Sequence, residues 1–342
     1  MAEIGMLGAG SWGTALTFEL SNRRHHVTVW SIAQDEVDML NSEHEQKVKL
    51  PGVKLPAEVQ ATTDLQRVIE GKDLLVLAVP SPFTRSTARS MKPFVRENQL
   101  IVSVAKGIEA DSLLTLTQII EEEIPQCRTA VLCGPTHAEE VGKGMPTAIV
   151  AGSRSREDAV YVQDIFMSEV FRVYTSPDVL GMQVGAALKN VVALAAGIAD
   201  GLGYGDNTKA ALITRGITEI ARLGIAMGGK VETFTGLTGI GDLIVTCASM
   251  HSRNRRAGIL IGQGETPEEA MKEVQQVVEG VFSAKAAHQL SVKYGIETPI
   301  IDQVCMVLDE GKSPADAVRD LMLRDKVNRS EERFSRNAET DL

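Results

Sequence analysis

Lys189 is the residue whose sequence surroundings best suit acid–base chemistry. At helical spacing it is flanked by Gly185, Val192, Ala193 and Ala196. None of these residues can neutralise an ammonium group. Such a lysine either extends its charge to water from the edge of an apolar face or is placed for chemistry. Burial would lower its pKa and make it a usable base, and the local sequence leaves both alternatives open.

A second group of polar residues follows this segment. Asp242 closes the glycine-rich stretch 236–242, where it could orient an ammonium group or simply cap the next helix. Residues 252–256, Ser-Arg-Asn-Arg-Arg, form the densest basic cluster of an acidic chain. They are either a solvated surface turn or an anion clamp. Ser252, Arg253 and Asn254 together have the donors that a phosphate or oxyanion needs.

Three glycines near the start of the chain have the spacing G-x-G-x-x-G. Gly8, Gly10 and Gly13 follow a predicted strand and begin a predicted helix. In that context the first glycine permits a tight turn, the second lets the backbone approach a pyrophosphate, and the third lets helix and strand pack closely. The helix N-terminus adds amide groups and a positive dipole. A ligand-free turn is the alternative, but the context favours a dinucleotide site.

The end of the second predicted strand usually distinguishes NAD from NADP. An acidic residue there would bind the ribose hydroxyls of NAD, and an arginine would favour NADP. Here the strand is followed by Ser31, Ile32 and Ala33, which have neither property. Asp35 is predicted to cap the next helix. The cofactor is therefore predicted as NAD or NADP without a preference.

Two further loops follow predicted strands of the first half. They are residues 106–109, which begin with Lys106, and residues 134–139, which include Gly134 and Thr136. In open α/β sheets ligands collect beyond the carboxyl ends of strands, so both are candidate site loops. Two ordinary turns are the alternative. His137 has no partner in sequence and is given no catalytic role.

The elements that must position these residues change in character along the chain. The first half alternates continuous apolar strands, which are typical of a parallel sheet covered on both faces, with helices. The second half is helical in period and rich in Ala, Gly, Leu and Val. Strands are predicted at 3–7, 26–30, 74–79, 100–104, 129–132 and 147–150. Helices are predicted at 13–21, from about 35, and at 185–200, 209–227, 267–278 and 283–294.

This pattern predicts an α/β protein. We expect an N-terminal Rossmann domain, a doubly wound parallel sheet that binds a dinucleotide, at 1–180. An all-α C-terminal substrate domain is expected at 181–325. A polar C-terminal tail is expected at 326–342, because the chain from about Arg324 has almost no apolar residues.

Composition excludes several classes of protein. The chain has 342 residues, 44% of them hydrophobic, so a disordered protein is excluded. Its 35 Lys and Arg residues against 45 Asp and Glu residues leave a net charge of −10, and only 4% of residues are aromatic. Nucleic acid is therefore not expected as a partner. An acidic protein that binds an anion must gather its few cations in one place.

The cysteines and the absence of targeting signals indicate a cytoplasmic protein. Cys127, Cys133, Cys247 and Cys305 form no CxxC pair and have no histidine at zinc-binding spacing, so we expect four reduced thiols and no metal site. No secretory signal and no membrane span are expected. The apolar helices of the second half could form its core or pack on a second copy, so a homodimer is one possible assembly.

Seven short segments, taken in order, resemble the bacterial-type NAD(P)-dependent sn-glycerol-3-phosphate dehydrogenases. Each is weak alone, but the ordered set covers residues 8 to about 280 and is specific. The segments are 8–16 (GAGSWGTAL), 106–109 (KGIE), 134–136 (GPT), 188–190 (LKN), 236–242 (GLTGIGD), 252–256 (SRNRR) and 278–280 (VEG).

The resemblance implies interconversion of dihydroxyacetone phosphate and sn-glycerol 3-phosphate, which supplies glycerophospholipid synthesis. It implies that Lys189 accepts the proton of the C2 hydroxyl. The substrate would be lined by Lys106, Gly134, Thr136, Lys189, Asp242, Ser252, Arg253 and Asn254. The cofactor would contact the glycine loop, and also Ser11, Trp12, Lys106, Ala138, Arg253, Val277 and Glu279. Ile32 and Ala33 stand where the family often has a basic residue or histidine.

Other proteins could share parts of this pattern. A β-hydroxyacid or 6-phosphogluconate dehydrogenase also joins a Rossmann domain to a helical domain and uses a lysine. Asp242 followed ten residues later by Ser252-Arg-Asn distinguishes the present chain from them. A non-catalytic nucleotide sensor would keep the glycine loop without the later residues. We expect Lys106, Lys189 and Arg253 to meet in one cationic cleft, which leaves the negative charge on the outer surface.

Overall fold

Short runs of Val, Leu and Ile form the strands of one mostly buried sheet. The computed structural model describes residues 1–324 of the chain. The central strands are buried along their whole length, as expected for strands covered on both faces. The strands are β1 Glu3–Leu7, β2 His26–Trp30, β3 Gln60–Thr62, β4 Leu74–Leu77, β5 Leu100–Ser103, β6 Arg128–Cys133, β7 Thr147–Gly152 and β8 Phe171–Ser176.

The eight strands have the order β3-β2-β1-β4-β5-β6-β7-β8. The first six make the 3-2-1-4-5-6 arrangement of a doubly wound sheet, and all their pairings are parallel. The chain reverses its direction of winding between β1 and β4, where the carboxyl ends of parallel strands leave a crevice for ligands. The predicted Rossmann fold is confirmed.

The far edge of the sheet departs from the prediction. β7 runs antiparallel to β6, although its apolar sequence resembles that of the parallel strands. β8 pairs with β7 in parallel and was not predicted. Residues of β8 alternate between buried and exposed, as expected for a strand at a sheet edge, so a search for continuous apolar runs misses it.

The helices of the sheet region follow the strands closely in sequence. They are α1 Ser11–Asn22, α2 Gln34–Glu43, α3 Leu65–Ile69, α4 Thr84–Met91, α5 Leu116–Glu123, α6 Ala138–Val141 and α7 Arg156–Phe166. The prediction that Asp35 caps α2 is wrong. Ala33 occupies the cap position and Asp35 lies in the first turn, where its charge still favours the helix dipole.

The second half of the described chain is helical, which confirms the predicted all-α region. Its helices are α8 Val179–Gly201, α9 Asp206–Ala226, α10 Val231–Phe234, α11 Asp242–Ala248, α12 Arg253–Gly262, α13 Pro267–Val274, α14 Glu279–Tyr294, α15 Pro299–Asp309 and α16 Pro314–Met322. A single π-helical turn, Leu237–Gly241, leads directly into α11.

α8 is the core helix of this region. By length and composition alone it could cross a membrane, yet 89% of its most apolar window is buried within the structure. Glycines let other helices approach it closely. A Cβ atom at Gly197 would stand 2.1 Å from the carbonyl oxygen of Arg255, and one at Gly258 would stand 2.2 Å from that of Leu194. α8 and α12 therefore meet at backbone contact, which leaves little freedom in their relative position.

The described chain separates into two packed units. The first contains Met1–Lys106 and Leu114–Val179, and the second contains Gly107–Leu113 and the chain from Leu180 onward. The predicted bounds, 1–180 and 181–325, assign residues 107–113 to the first domain. The structure assigns them to the second, because Ile108 is buried in the core around α8. The predicted tail, 326–342, lies outside the described residues.

Glu219 of α9 is a buried carboxylate that caps another helix. Both of its oxygens accept the backbone N–H of Ile300 at 3.0 Å, and Oε2 also accepts from Ile301 at 3.4 Å. These are amides of the first turn of α15, which have no partner within their own helix. Burial raises the pKa of Glu219 to about 7, although the two amides oppose the shift.

Glu219→Gln is expected to change how stability depends on pH. Because its folded-state pKa lies above the unfolded value, Glu219 favours the folded state below about pH 4.5, and this contribution is lost as the pH rises through about 7. The advantage of the native chain over the Gln variant in free energy of unfolding should fall by about 3 kcal/mol between about pH 5 and pH 8. Urea unfolding of both proteins measures it. An advantage that stays constant with pH would contradict the assigned shift.

Candidate active site

The glycine loop between β1 and α1 has the geometry of a pyrophosphate cradle. Gly8 has a φ of +125°, which side-chain-bearing residues rarely adopt, and a Cβ there would lie 2.8 Å from the carbonyl oxygen of Ala78. A Cβ at Gly13 would lie 2.0 Å from the carbonyl oxygen of Gly8. A Cβ at Gly10, by contrast, would meet no atom within 4 Å. The backbone is therefore packed tightly behind the loop and open in front of Gly10.

The N-terminus of α1 is suited to an anion. Gly10 occupies its cap position and provides no side-chain acceptor for the amides of the first turn. Gln46 fixes the glycine loop. It is fully buried and donates from Nε2 to the carbonyl oxygen of Ala9 at 3.1 Å. Ser11 donates to the carbonyl oxygen of Lys49 at 2.7 Å. These features fit the phosphates of NAD or NADP.

The end of β2 carries a charge pair that the sequence did not reveal. Ser31 is buried and donates to Oε2 of Glu36 at 2.6 Å. The other oxygen of Glu36 pairs with Lys49. Ile32 is 85% exposed and brings no charge. The carboxylate of Glu36, six residues beyond the strand end, is thus already engaged by a hydroxyl and an ammonium group.

Lys106 and the candidate loop 134–139, both in the first unit, meet at one carbonyl oxygen. Lys106 Nζ donates to the carbonyl oxygen of Gly134 at 2.9 Å, and the hydroxyl of Thr136 donates to the same atom at 3.2 Å. Ala138 is buried and begins α6 just beyond. Lys106, Gly134 and Thr136 are therefore neighbours in space, as the prediction of a ligand site at this edge requires.

Lys189 lies buried in the middle of α8 and is paired with α11. Only 5% of its surface is exposed. Its Nζ donates to Oδ1 of Asp242 at 2.8 Å and to Oγ1 of Thr246 at 2.6 Å. The Thr246 hydroxyl in turn donates to the carbonyl oxygen of Asp242 at 2.6 Å. The structure thus rejects a surface position for this lysine, and the ammonium group is fixed by a carboxylate and a hydroxyl.

The glycine-rich stretch 236–242 places Asp242. It folds as the π-helical turn, in which a Cβ at Gly239 would lie 2.0 Å from the carbonyl oxygen of Phe234. Gly241 takes the cap position of α11, and Asp242 is its first residue, with no measurable exposure. The simple helix-cap alternative for Asp242 is therefore wrong, since its carboxylate faces Lys189.

The basic cluster 252–256 forms the start of α12. Ser252 is the cap residue, and its hydroxyl accepts the N–H of Arg255 at 3.2 Å. Arg253 is the first residue of the helix and is half-buried. Asn254 is buried and donates to Oδ1 of Asn190 at 2.9 Å. The cluster is thus the first turn of a helix, with Arg253 at its first position, and it is not a solvated surface turn.

Asn254 also contacts residues 278–280, the last of the seven segments on which the family resemblance rests. Its Oδ1 accepts the backbone N–H of Gly280 at 2.8 Å. A Cβ at Gly280 would lie 2.6 Å from the carbonyl oxygen of Asn190, so only glycine fits there. Glu279 is buried and begins α14, while Val277 precedes it by two residues and is half-buried. The bonds of Asn254 tie the starts of α12 and α14 to the residue after Lys189.

Two side chains of this site were missed from the sequence. Thr246 lies one helical turn after Asp242, so the i, i+4 spacing could have revealed it. Asn190 follows Lys189 directly, but its partner Asn254 is 64 residues away and nothing in the sequence joins them.

Thiol and metal chemistry have no support in this region. All four cysteines are free, and burial raises the pKa of Cys247, next to Thr246, to about 12, so its reactive thiolate is disfavoured. Within residues 1–324, no group of three or more His, Cys, Asp and Glu side chains could hold a metal ion.

A dinucleotide loop on a Rossmann sheet and a buried lysine in a helical unit define the class of two-domain NAD(P)-dependent dehydrogenases. Models of two family regions match the chain. Residues 3–159 match the N-terminus of NAD-dependent glycerol-3-phosphate dehydrogenase, and residues 178–319 match its C-terminus. The chain belongs to the NAD-dependent glycerol-3-phosphate dehydrogenase family.

Bacterial relatives cover nearly the whole chain. A glycerol-3-phosphate dehydrogenase [NAD(P)+] of Agathobacter rectalis is 62% identical over 326 residues, which are 95% of this chain and 97% of that protein. The protein of the same name from Bacillus subtilis is 50% identical over 335 residues, 97% of each chain.

A solved structure shares the fold. The crystal structure of glycerol-3-phosphate dehydrogenase from Coxiella burnetii superposes with a TM-score of 0.91 at 37% identity, covering 94% of this chain and 99% of that one. The predicted family and the use of NAD or NADP are thereby confirmed, and the chain is an oxidoreductase. The alternative dehydrogenases and the nucleotide sensor are not favoured.

Proposed function

We propose that this chain interconverts dihydroxyacetone phosphate and sn-glycerol 3-phosphate, with Lys189 as the general acid and base. The observation that carries the residue assignment is the buried ammonium group of Lys189, held by Asp242 at 2.8 Å and Thr246 at 2.6 Å. Secondary-alcohol oxidation needs one group that can hold or release the hydroxyl proton within hydrogen-bond distance.

Lys189 moves the proton in both directions. In reduction its ammonium group donates a proton to the C2 carbonyl oxygen, and in oxidation its neutral amine takes the proton of the C2 hydroxyl. The nicotinamide, when bound, supplies or accepts the hydride at C4. Asp242 and Thr246 orient the Lys189 nitrogen, so that the proton is delivered along a fixed direction.

The remaining site residues serve binding in this proposal. The glycine loop 8–13, with Ser11 and Trp12, receives the cofactor, together with Ala138, Val277 and Glu279. Lys106, Gly134, Thr136, Ser252 and Asn254 line the substrate, and Arg253 binds its phosphate. An arginine suits this task because its planar donors match phosphate oxygens.

The proposal extends to the setting of the enzyme. It acts in the cytoplasm on a small phosphorylated substrate, without nucleic acid or a membrane span, and its product supplies glycerophospholipid synthesis. The net charge of −10 supports the exclusion of nucleic acid. A homodimer remains a prediction, for light scattering to test.

A spectrophotometric assay tests the reaction. Oxidation of reduced nicotinamide should depend on dihydroxyacetone phosphate, and parallel assays with NADH and NADPH give the cofactor preference. A panel of β-hydroxyacids and 6-phosphogluconate with the oxidised cofactors is the control. Turnover of a panel compound without turnover of dihydroxyacetone phosphate would overturn the proposal.

A further inference from the structure

Arg255 joins the ends of two helices to the start of a third. Its Nε donates to Oδ2 of Asp200 at 2.7 Å, and its Nη1 donates to the carbonyl oxygen of Ala248 at 2.7 Å. Asp200 lies in the last turn of α8, and Ala248 is the last residue of α11. One guanidinium group thus connects α8, α11 and the first turn of α12.

Asp200 is the shared acceptor of this arrangement. Its second oxygen, Oδ1, accepts from Lys209 of α9 at 2.9 Å. The side chains of Asp200, Arg255 and Lys209 are only 13–19% exposed. Water therefore competes weakly for these bonds, and the two acceptors of Arg255 fix the plane of its guanidinium group.

The bond from Arg255 to the carbonyl oxygen of Ala248 spans the turn that leads to Arg253. Residues 249–252 connect α11, which carries Asp242 and Thr246, to α12, which begins at Arg253. The backbone carbonyl oxygen of Arg255 packs against Gly197 of α8, so closely that a Cβ at Gly197 would lie 2.1 Å from it. The first turn of α12 is therefore held on α8 by backbone contact and by the ion pair.

We propose that Asp200 is a positioning residue for the phosphate of the substrate, because it holds Arg255 and thereby the helix start that carries Arg253. This inference rests on the proposed role of Arg253. Without the carboxylate charge, position 200 has a single neutral acceptor oxygen for both Arg255 and Lys209, so the guanidinium group is held less firmly on α8 and the start of α12 gains freedom. Arg253 then occupies its binding geometry for a smaller fraction of the time. Lys189 keeps its bonds to Asp242 and Thr246, so proton transfer should be affected little.

Asp200→Asn tests the inference, with Lys209→Met as the matched control that removes the other partner of Asp200. We expect D200N to raise KM for dihydroxyacetone phosphate on the order of tenfold and to change kcat by less than about threefold. K209M should leave that KM within about twofold of the native value. The kcat/KM for dihydroxyacetone, which lacks the phosphate, should be unchanged in D200N.

Arg255→Lys provides a second variant should D200N fold poorly. It keeps the charge, but an ammonium group cannot reach both acceptors from one fixed plane. The same selective rise in KM is expected. A selective rise in either well-folded variant supports the inference.

Three results would overturn it. An unchanged KM in both D200N and R255K, or in the one of them that folds, while Arg253→Ala raises KM, would reject Asp200 and keep the phosphate role of Arg253. An unchanged KM in Arg253→Ala would reject that role itself, and this inference with it. Equal losses of kcat/KM for dihydroxyacetone phosphate and dihydroxyacetone in D200N would show a general loss of structure.

Discussion

Lys189→Met should lower kcat by on the order of 10² or more, because the step that moves the hydroxyl proton loses its acid and base. Methionine has a similar length and no titratable group. The dissociation constant of NADH should stay close to its native value, since the glycine loop belongs to the other unit. Single-turnover measurements with both substrates present, together with NADH titration, check the two parts. Turnover close to that of the native enzyme would remove Lys189 from the mechanism.

The control for this variant follows from the burial of the pair. Removing the ammonium group leaves the Asp242 carboxylate, which has no measurable exposure, without its cation. That alone is expected to destabilise the fold. The double variant Lys189→Met, Asp242→Asn removes both charges and should recover part of the thermal stability. If kcat recovers along with stability, the loss in the single variant is structural and the acid–base role is contradicted.

Arg253→Ala is expected to weaken the binding of dihydroxyacetone phosphate by up to about 3 kcal/mol, which corresponds to roughly a 10²-fold rise in KM. The reason is the loss of charge-assisted hydrogen bonds to the phosphate at the start of α12. Steady-state kinetics with dihydroxyacetone phosphate and dihydroxyacetone measure the effect. The second substrate has no phosphate, so its kcat/KM should change little.

Arg253→Lys is the matched comparison. It preserves the charge but not the paired donors, and its KM should lie between those of the native enzyme and the Ala variant. If the Ala variant binds the phosphorylated substrate as well as the native enzyme does, Arg253 is not its phosphate ligand.

Local signals in the sequence were enough for most of the fold. The bounds of β1 and β2 were predicted without error, because continuous apolar runs next to turn residues are local properties. The antiparallel direction of β7 was not predicted, since it depends on which edge of the sheet the chain returns to. β8 was missed because an edge strand has only one buried face.

The site shows the same division between local and distant information. The glycine loop is contiguous, so its geometry could be predicted from spacing alone. The isolation of Lys189 in the sequence was also visible, but its partners Asp242 and Thr246 are 53 and 57 residues away. Only tertiary packing decides whether Asp242 caps a helix or faces the lysine. The pairs Glu36–Lys49 and Asp200–Arg255 were missed for the same reason.

Residues 107–113 affect how this gene could be recombined with others. The segment is encoded within the first half but buries Ile108 in the core of the second. A chimaera joined only at 179/180 would take its α8 from one parent and its Ile108 from the other. The cofactor half and the substrate half are therefore not independent modules. A functional chimaera should take residues 107–113 from the same parent as the later half, which requires three junctions in the chain.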